Sequence, residues 1–220
     1  MFCCNAAGDL LPPMTVYKVK SGNFYDTWME GAPDDYVFTA NPSGWFGMRE
    51  YEYFVIKVLI RWIKRRIPKE EVKVLIADNL GAHISPYVMQ LCREHNIRYI
   101  FLPPNSTHLT QPLDVGVFGP MKKHWRAQLD RFKESQVAKG VRGGTIKKEM
   151  FPSLLAAMLS SEGSVNNPAN IRSGFAACGI YPLNQERVLA RLPPEETQRA
   201  VQTEFDQAGV YMFLSSRGGD

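Results

Sequence analysis

A strand-helix-strand pattern between residues 72 and 102 constrains the fold of this chain most. The apolar run Val72 to Ala77 predicts a buried strand, and the apolar run from Ile97 to Leu102 predicts another. Between them, Ser85 followed by Pro86 is typical of a helix N-terminus, with a capping hydroxyl before a proline at the first helical position. Because such crossovers favour parallel neighbouring strands, the pattern predicts an α/β layer.

The upstream segments add strands and one long helix to this layer. Residues 1–6 and 14–20 are predicted strands joined as a hairpin, and residues 37–39 form a possible short strand. From Met48 to Arg66, apolar residues recur at helical spacing until Pro68 stops the pattern. The chain is therefore expected to alternate strands and helices up to residue 102.

The downstream segments are predicted to be mainly helical. The first predicted helix covers residues 113–132, and the polar stretch 134–144 is predicted to be a loop or a frayed helix end. Two shorter helices are predicted at 151–159 and 169–178, the second opened by an Asn-Asn-Pro signal. These helices would form an extension beyond the α/β layer.

Composition restricts the classes of protein to which the chain can belong. It has 220 residues, 45% of them apolar and 22% charged, which is typical of a globular protein with a packed core. No apolar run reaches the roughly 18 residues of a membrane span, so no membrane partner is expected. The four cysteines show no metal-ligand spacing and are predicted to be reduced thiols. No Gly-rich phosphate cradle follows a strand, so no small-molecule cofactor is expected.

Two aspartates at element boundaries are the strongest candidates for chemistry. Asp78 directly follows the predicted strand 72–77, and Asp114 directly precedes a helix-like segment. Ligands gather at the carboxyl ends of strands in open α/β sheets, and carboxylates there can share hard divalent cations. Two structural interpretations remain open, because an Asp-Asn pair is ordinary turn chemistry and Asp114 could simply cap a helix.

The segment before Asp114 has the composition of a rigid functional loop. Between Pro104 and Pro112 it carries hydrogen-bonding side chains at almost every position, and the prolines limit its conformational freedom. His108 and Gln111 in this loop, and His83 after Asp78, are candidate nucleic-acid contacts. His83 could also orient Asp78 or transfer protons. All three could instead be ordinary surface residues.

Basic residues concentrate in two segments although the net charge is only +4. Residues 121–150 carry nine basic and three acidic side chains, a surplus of six positive charges that includes Lys122, Lys123 and Arg126. The helix predicted at 48–66 and its exit contribute further basic residues, namely Lys57, Arg61, Lys64, Arg65, Arg66 and Lys69. Such clusters suit a polyanionic partner such as DNA, although solvated helix faces would look the same.

Several motifs together resemble one family. Val74 to His83 and Phe101 to Pro120, with the run Pro-Pro-Asn-Ser-Thr-His and then Gln-Pro-Leu-Asp, closely resemble the DDE endonuclease domain of pogo/Tigger/Jerky-type transposases and of centromere-binding proteins of that lineage. The segments Cys4–Met14, Asn170–Phe175 and Gly179–Leu183 also resemble this family. The resemblance covers roughly residues 1–190.

The resemblance implies a fold, a cofactor and a cellular location. The implied fold is an α/β, RNase H-like mixed sheet flanked by helices, with a helical C-terminal extension. Three acidic residues would hold two Mg²⁺ or Mn²⁺ ions for DNA cleavage and strand transfer in the nucleus. Asp78 would be the second acid and Asp114 the third. The implied divisions are an endonuclease domain at 1–135, a basic loop at 136–148, a helical part at 149–192 and a tail at 193–220.

The first acid of the family motif has no counterpart in this sequence. The resemblance places it on a strand preceding residues 1–6, so the domain is expected to be N-terminally truncated, with weakened metal binding and impaired cleavage. Asp9 is a poor substitute because it occupies a turn at the far end of the predicted hairpin. Whether the chain is an enzyme is therefore open, and the alternative is a domesticated non-catalytic module for DNA or chromatin binding or for dimerisation. An incompletely paired edge strand predicts a possible homo-oligomer.

Overall fold

The strands form two separate parallel pairs. In this computed structural model, which describes residues 1–20, 23–140, 145–160 and 166–192, strand β1 (Met14–Lys18) pairs with β2 (Val37–Asn41). Strand β3 (Lys73–Ala77) pairs with β4 (Ile97–Phe101). The described strands do not join into the single mixed sheet that was predicted, but the fold is mixed α/β.

The N-terminal hairpin is shorter than predicted. Residues 1–4 run antiparallel to residues 10–14, with one bridge between Cys4 and Leu10 and backbone hydrogen bonds from the amides of Leu11 and Met14 to the carbonyls of Cys3 and Met1. No ladder strand forms over residues 1–6. Pro12 and Pro13 explain this, because they have no N–H to donate to a ladder. The strand that begins at Met14 pairs instead with β2.

One long helical segment packs against both strand pairs. It comprises α1 (Met48–Phe54), a π-helical stretch (Val55–Ile60) and α2 (Arg61–Arg66), and its ends agree with the predicted helix. Its apolar face belongs to a buried core that also includes residues from β1, from β4 and from the helix between β3 and β4. The buried members of this core are Leu11, Met14, Tyr51, Phe54, Val55, Val58, Leu59, Ile60, Ile63, Val88, Cys92 and Ile97.

The strand-helix-strand unit forms as predicted. Helix α3 (Pro86–Glu94) connects the parallel strands β3 and β4. Its N-cap, Ser85, is fully buried and accepts a hydrogen bond from the amide of Val88, while its hydroxyl donates to Oε1 of Glu52 at 2.6 Å. The cap thus joins the start of α3 to helix α1.

The C-terminal half is helical. A short α4 (Thr107–Thr110) and a π-helical turn (Leu113–Val117) lead into α5 (Phe118–Ala138), followed by α6 (Phe151–Ser160), α7 (Pro168–Ala177) and α8 (Glu186–Leu189). Helices α6 and α7 agree with the predicted ones. Helix α5 extends beyond the predicted end near residue 132, into the predicted loop. The predicted tail 193–220 and residues 141–144 lie outside the described residues.

A second core joins these helices to the N-terminal arm. Its buried members are Val117, Met121, Leu155, Met158, Leu159 and Ile171. Phe2, Cys4 and Leu10 pack against it, so the C-terminal helices and the start of the chain share one apolar cluster.

The four cysteines are free, as the sequence predicts. Burial raises the pKa of Cys3, Cys92 and Cys178 to about 11 and that of Cys4 to about 12, so these thiols stay protonated at neutral pH. Among the helices of the described ranges, none combines the length and apolar character that a membrane crossing requires.

Candidate metal and nucleic-acid site

Asp78 lies at the carboxyl end of the β3–β4 pair. Ala77 is the last residue of β3, and its carbonyl accepts a hydrogen bond of 2.8 Å from the amide of Leu102, which follows β4. Both strands therefore end together. Oδ1 of Asp78 accepts a long hydrogen bond of 3.4 Å from the amide of Leu80, and the side chain remains 30% exposed. This leaves a carboxylate accessible at the edge where the chain leaves both strands.

His83 is turned toward Asp78. It ends a 3₁₀ turn, Gly81–His83, and its Nδ1 lies 2.5 Å from Oδ1 of Asp78. The contact is close, but its angle is not that of an aligned hydrogen bond. The imidazole is only 13% exposed, and its ring lies 4.4 Å from the ring of Tyr51. Of the roles considered for His83, orienting Asp78 agrees best with this position.

Two tyrosines support the backbone of His83. The hydroxyl of Tyr99, on β4, donates to the carbonyl of His83 at 3.1 Å and lies 2.6 Å from the hydroxyl of Tyr51, on α1. Burial, with a smaller contribution from the charge of Asp78, raises the pKa of Tyr99 to about 12. Both hydroxyls therefore stay protonated. This pair was not predicted from the sequence, because no local pattern relates positions so far apart in the chain.

The polar loop before Asp114 is held by its own hydrogen bonds. The hydroxyl of Ser106 donates to the carbonyl of Pro103 at 2.8 Å and lies 2.7 Å from that of Thr110, which in turn donates to the carbonyl of Ser106. The loop includes one helical turn, α4, which was not predicted. These local bonds give the loop the fixed shape that its composition indicated.

Asp114 lies in the π-helical turn that follows this loop, and its residue is exposed. Partial desolvation of its carboxyl raises its pKa above the usual range. The charge of Lys122 opposes this shift, and the charge of Asp78 adds to it. Since Asp78 acts electrostatically on Asp114, the structure brings these two carboxylates into one neighbourhood. Asp78 follows β3, whereas Asp114 lies in the π-helical turn, so the two carboxylates come from separate elements.

Helix α7 packs backbone to backbone against the turn that carries Asp114. A Cβ atom on Gly116 would lie 2.8 Å from Cα of Gly174, and one on Gly174 would lie 2.7 Å from the carbonyl oxygen of Pro112. No side chain larger than hydrogen fits at either position. The close approach of these two glycines was not predicted from the sequence. An isolated glycine in each helical pattern was the available signal.

Arg191 ties the polar loop to the end of α7. Its guanidinium donates to the carbonyl of His108 at 2.9 Å and to those of Leu109 and Ala177 at 3.3 Å each. The same charge lowers the pKa of Cys178, whereas burial and Asp114 raise it. Arg191, Cys178 and Asp114 are therefore neighbours. Arg191 was not predicted as a site residue, because it lies beyond the last motif segment, Gly179–Leu183.

The remaining candidate contacts surround Asp114. Lys122, Lys123 and Arg126 are exposed on α5, and Lys122 is close enough to act on Asp114. His108 is exposed, with its carbonyl taken by Arg191. Gln111 is half-buried, and its Oε1 has no hydrogen-bond partner in the described part of the chain. This acceptor is therefore left unsatisfied within the described residues.

The two aspartates fit a hard divalent cation by chemistry. Carboxylate oxygens are its preferred ligands, and a cation would relieve the repulsion that Asp78 exerts on Asp114. Within residues 1–20, 23–140, 145–160 and 166–192, no three His, Cys, Asp or Glu residues gather as a metal site. Asp9 is exposed and bonded to Asn5 within its turn. The described site thus contains two acidic side chains, Asp78 and Asp114.

Comparisons with known proteins identify the family of the chain. Residues 1–175 match the DDE superfamily endonuclease family. A curated protein of Cochliobolus lunatus, named MFS-type transporter clz9, is 31% identical over 193 residues, which are 86% of this chain and 19% of that protein. The chain thus spans about a fifth of the length of that relative, whose name describes the longer protein. No solved structure matches the chain significantly. Because the family match covers most of its length, the chain belongs to the DDE superfamily of endonucleases.

Proposed function

We propose that this chain is a transposase-derived endonuclease domain that binds DNA and holds Mg²⁺ or Mn²⁺ between Asp78 and Asp114. The observation that carries the proposal is the position of the two carboxylates, Asp78 at the end of β3 and Asp114 after the polar loop, close enough for the charge of Asp78 to act on Asp114. Family membership supports it, because a DDE endonuclease domain implies interaction with DNA. We assign the domain to the pogo/Tigger/Jerky lineage and to the nucleus.

Each group in the neighbourhood has a role consistent with its position. Asp78 and Asp114 would hold the cation, which when bound neutralises phosphate charge and lowers the pKa of water. His83 orients Asp78 through its close contact. Lys122, Lys123 and Arg126 on α5 would contact DNA phosphates, with His108 and Gln111 on the adjoining loop.

We infer that this chain cleaves DNA poorly or not at all on its own. A two-metal phosphodiester site needs more acidic oxygens than two carboxylates supply, and the described residues offer two. The same observation favours a second candidate function, a domesticated module that binds DNA or chromatin, or that dimerises, without cleaving. The two candidates share the fold and differ in catalysis.

Metal binding is the first test. Free Mn²⁺ is measured by electron paramagnetic resonance during titration of the chain and of the variants Asp78→Asn and Asp114→Asn. We expect weak binding by the unsubstituted chain and at least a tenfold loss in either variant, because each removes one of two charged ligands. Asp130→Asn is the matched control, since Asp130 is an exposed carboxylate on α5 that faces Lys133. Equal Mn²⁺ binding by the unsubstituted chain and all three variants would show that Asp78 and Asp114 do not form a cation site.

Cleavage is the second test. Supercoiled plasmid is incubated with the chain in Mg²⁺ or Mn²⁺, and we expect no nicked product above the background of a mock purification. Nicking that Asp78→Asn and Asp114→Asn each abolish would show that two carboxylates suffice, and it would exclude the non-catalytic module. Mn²⁺ and DNA binding without nicking supports the inference of impaired cleavage. Light scattering checks the predicted homo-oligomer separately.

A further inference from the structure

A second basic surface runs along the helix that packs on both strand pairs. Five cationic residues of this helix are exposed, on the π-helical stretch and on α2. They are Lys57, Arg61, Lys64, Arg65 and Arg66, and we call them the α2 basic face. The opposite side of the same helix is buried, with Val58 and Ile63 in the core. The position of these charges is therefore fixed by core packing.

The charges of the α2 basic face are not neutralised within the described residues. Only His83–Asp78 and Lys133–Asp130 form ion pairs there, so none of the five has a carboxylate within 4.0 Å. Two of them contact aromatic rings instead. The guanidinium of Arg66 lies 4.8 Å from the ring centre of Trp62, and Nζ of Lys57 lies 5.6 Å from that of Tyr53. Such contacts orient a cation without removing its charge.

A structural explanation accounts for only part of this face. Cations in the last turn of a helix interact favourably with its dipole, which applies to Lys64, Arg65 and Arg66. The effect falls off within one turn, so it does not explain Lys57 or Arg61. Uncompensated charges that continue into the middle of a helix favour an external anion.

A cleft adjoins the face and gives it a concave shape. Its volume is about 430 Å³, and four members of the α2 basic face line it, namely Lys57, Arg61, Arg65 and Arg66. The other walls come from the N-terminal arm, the segment before β2 and the end of α6. Asp34 and Asp35 also line it, so cations outnumber carboxylates by two to one. A groove with this balance suits a phosphodiester backbone.

The α2 basic face is separate from the aspartate pair. Tyr51, near the start of the same helical segment, places its ring against the tilted ring of His83 beside Asp78. Arg65 lies about 20 Å farther along the helix axis, at about 1.5 Å per residue. A phosphate bound beside Arg65 would therefore not contact Asp78.

We propose that the α2 basic face binds the phosphodiester backbone of DNA at a position separate from Asp78 and Asp114. The inference rests on the proposed function only in taking DNA as the partner, and it requires no metal. The chain then contacts DNA through two surfaces, α5 beside Asp114 and the α2 basic face. Cleavage needs only the first, so the second would add affinity and orientation.

Salt-dependent DNA binding tests the proposal. Fluorescence anisotropy of a labelled random-sequence duplex is measured in EDTA over a range of salt concentrations for the full chain and for the double variant R61Q/R65Q. We expect affinity to fall at least tenfold at low salt and the slope of log affinity against log salt to decrease by about 2, since two phosphate contacts are lost. The matched control R93Q/R98Q removes the same charge at exposed positions outside the cleft. It should bind within about twofold of the unsubstituted chain.

Two comparisons make the outcome decisive. If R61Q/R65Q binds DNA like R93Q/R98Q while K122Q/K123Q loses binding, α5 is the only DNA surface and the proposal is overturned. If the chain binds phosphatidylserine vesicles through Arg61 and Arg65 but not DNA, the face serves a membrane surface and the proposal is also overturned. Because EDTA removes the cation, failure of the Mn²⁺ titration would not affect this result. Circular dichroism melts confirm that each variant folds.

Discussion

The two aspartates of the candidate site are held in place by different kinds of contact. Asp78 follows a strand, and its surroundings are side chains, namely His83 at 2.5 Å and the hydroxyls of Tyr51 and Tyr99 behind it. Asp114 lies in a π-helical turn whose support is backbone, through the close approach of Gly116 to Gly174 on α7. The surroundings of Asp78 depend on side-chain contacts and on the hydrogen bonds among Tyr51, Tyr99 and the backbone of His83, whereas Asp114 depends on steric fit between backbones.

This difference predicts different tolerance to substitution. A network of several hydrogen bonds loses about 1 kcal/mol when one bond is removed, because the other bonds remain. A close contact between backbones cannot adapt in this way, because an added methyl group must displace the main chain itself. The region around Asp114 should therefore be the more fragile half of the site, although Asp114 itself is exposed.

The largest expected effect comes from Gly174→Ala. The new Cβ would lie 2.7 Å from the carbonyl oxygen of Pro112 and 3.3 Å from Cα of Gly116, and both are main-chain atoms. We expect the free energy of unfolding in urea to fall by about 2–3 kcal/mol, the upper part of the range for overpacked cores, because the clash is with main-chain atoms. Mn²⁺ affinity should fall as well, because the turn that carries Asp114 would move.

Gly119→Ala is the matched control for this substitution. Gly119 is three residues beyond Gly116, on the first turn of α5, and a Cβ there meets nothing within 4 Å. Alanine has the better helix propensity, so stability should be unchanged or rise by up to about 1 kcal/mol. Equal destabilisation by the two alanines would show that contact with α7 does not determine the effect.

A smaller effect is expected on the Asp78 side from Tyr51→Phe. The substitution removes the 2.6 Å contact between two buried hydroxyls, but Tyr99 keeps its hydrogen bond to the carbonyl of His83. Stability should fall by about 1 kcal/mol, measured by the same urea titration. Tyr53→Phe, two residues away and 40% exposed, should cost nothing measurable. If Tyr51→Phe lowered the free energy of unfolding more than Gly174→Ala does, the Asp78 side would be the more fragile half of the site.

The Asp78 side could be predicted well because its signals are local. An apolar run ending in aspartate, then Ser85-Pro86 and a second apolar run, specifies a strand-helix-strand unit within a short segment, and β3, α3 and β4 form where predicted. The long helix was likewise predicted from its periodicity. Its central π-helical stretch, Val55–Ile60, was not, because apolar spacing is nearly the same in both helix types.

The Asp114 side could be predicted only in part because its support comes from distant residues. The proline-bounded polar loop indicated rigidity, but it did not show that Gly174 would pack on Gly116 or that Arg191 would bind two of the loop carbonyls. The split into two strand pairs was missed for a similar reason. Pairing of β1 with β2 depends on tertiary contacts, whereas the turn at residues 7–9 favoured a hairpin locally.

The smallest expected effect comes from Arg191→Gln and concerns local order more than global stability. Arg191 is exposed, and its bonds to His108 and Leu109 join the loop to the end of α7 without closing the core. We expect less than about 1 kcal/mol of lost stability but faster amide hydrogen exchange in a peptide covering residues 103–112. Exchange in residues 73–83 should not change, because the contacts around Asp78 do not involve Arg191.

Arg187→Gln is the matched control. Arg187 lies on the preceding turn, and its substitution removes the same charge without these bonds, so hydrogen exchange in both peptides should be unchanged. Faster exchange around Asp78 in the Arg191 variant would show that the two halves of the site are coupled rather than independently supported.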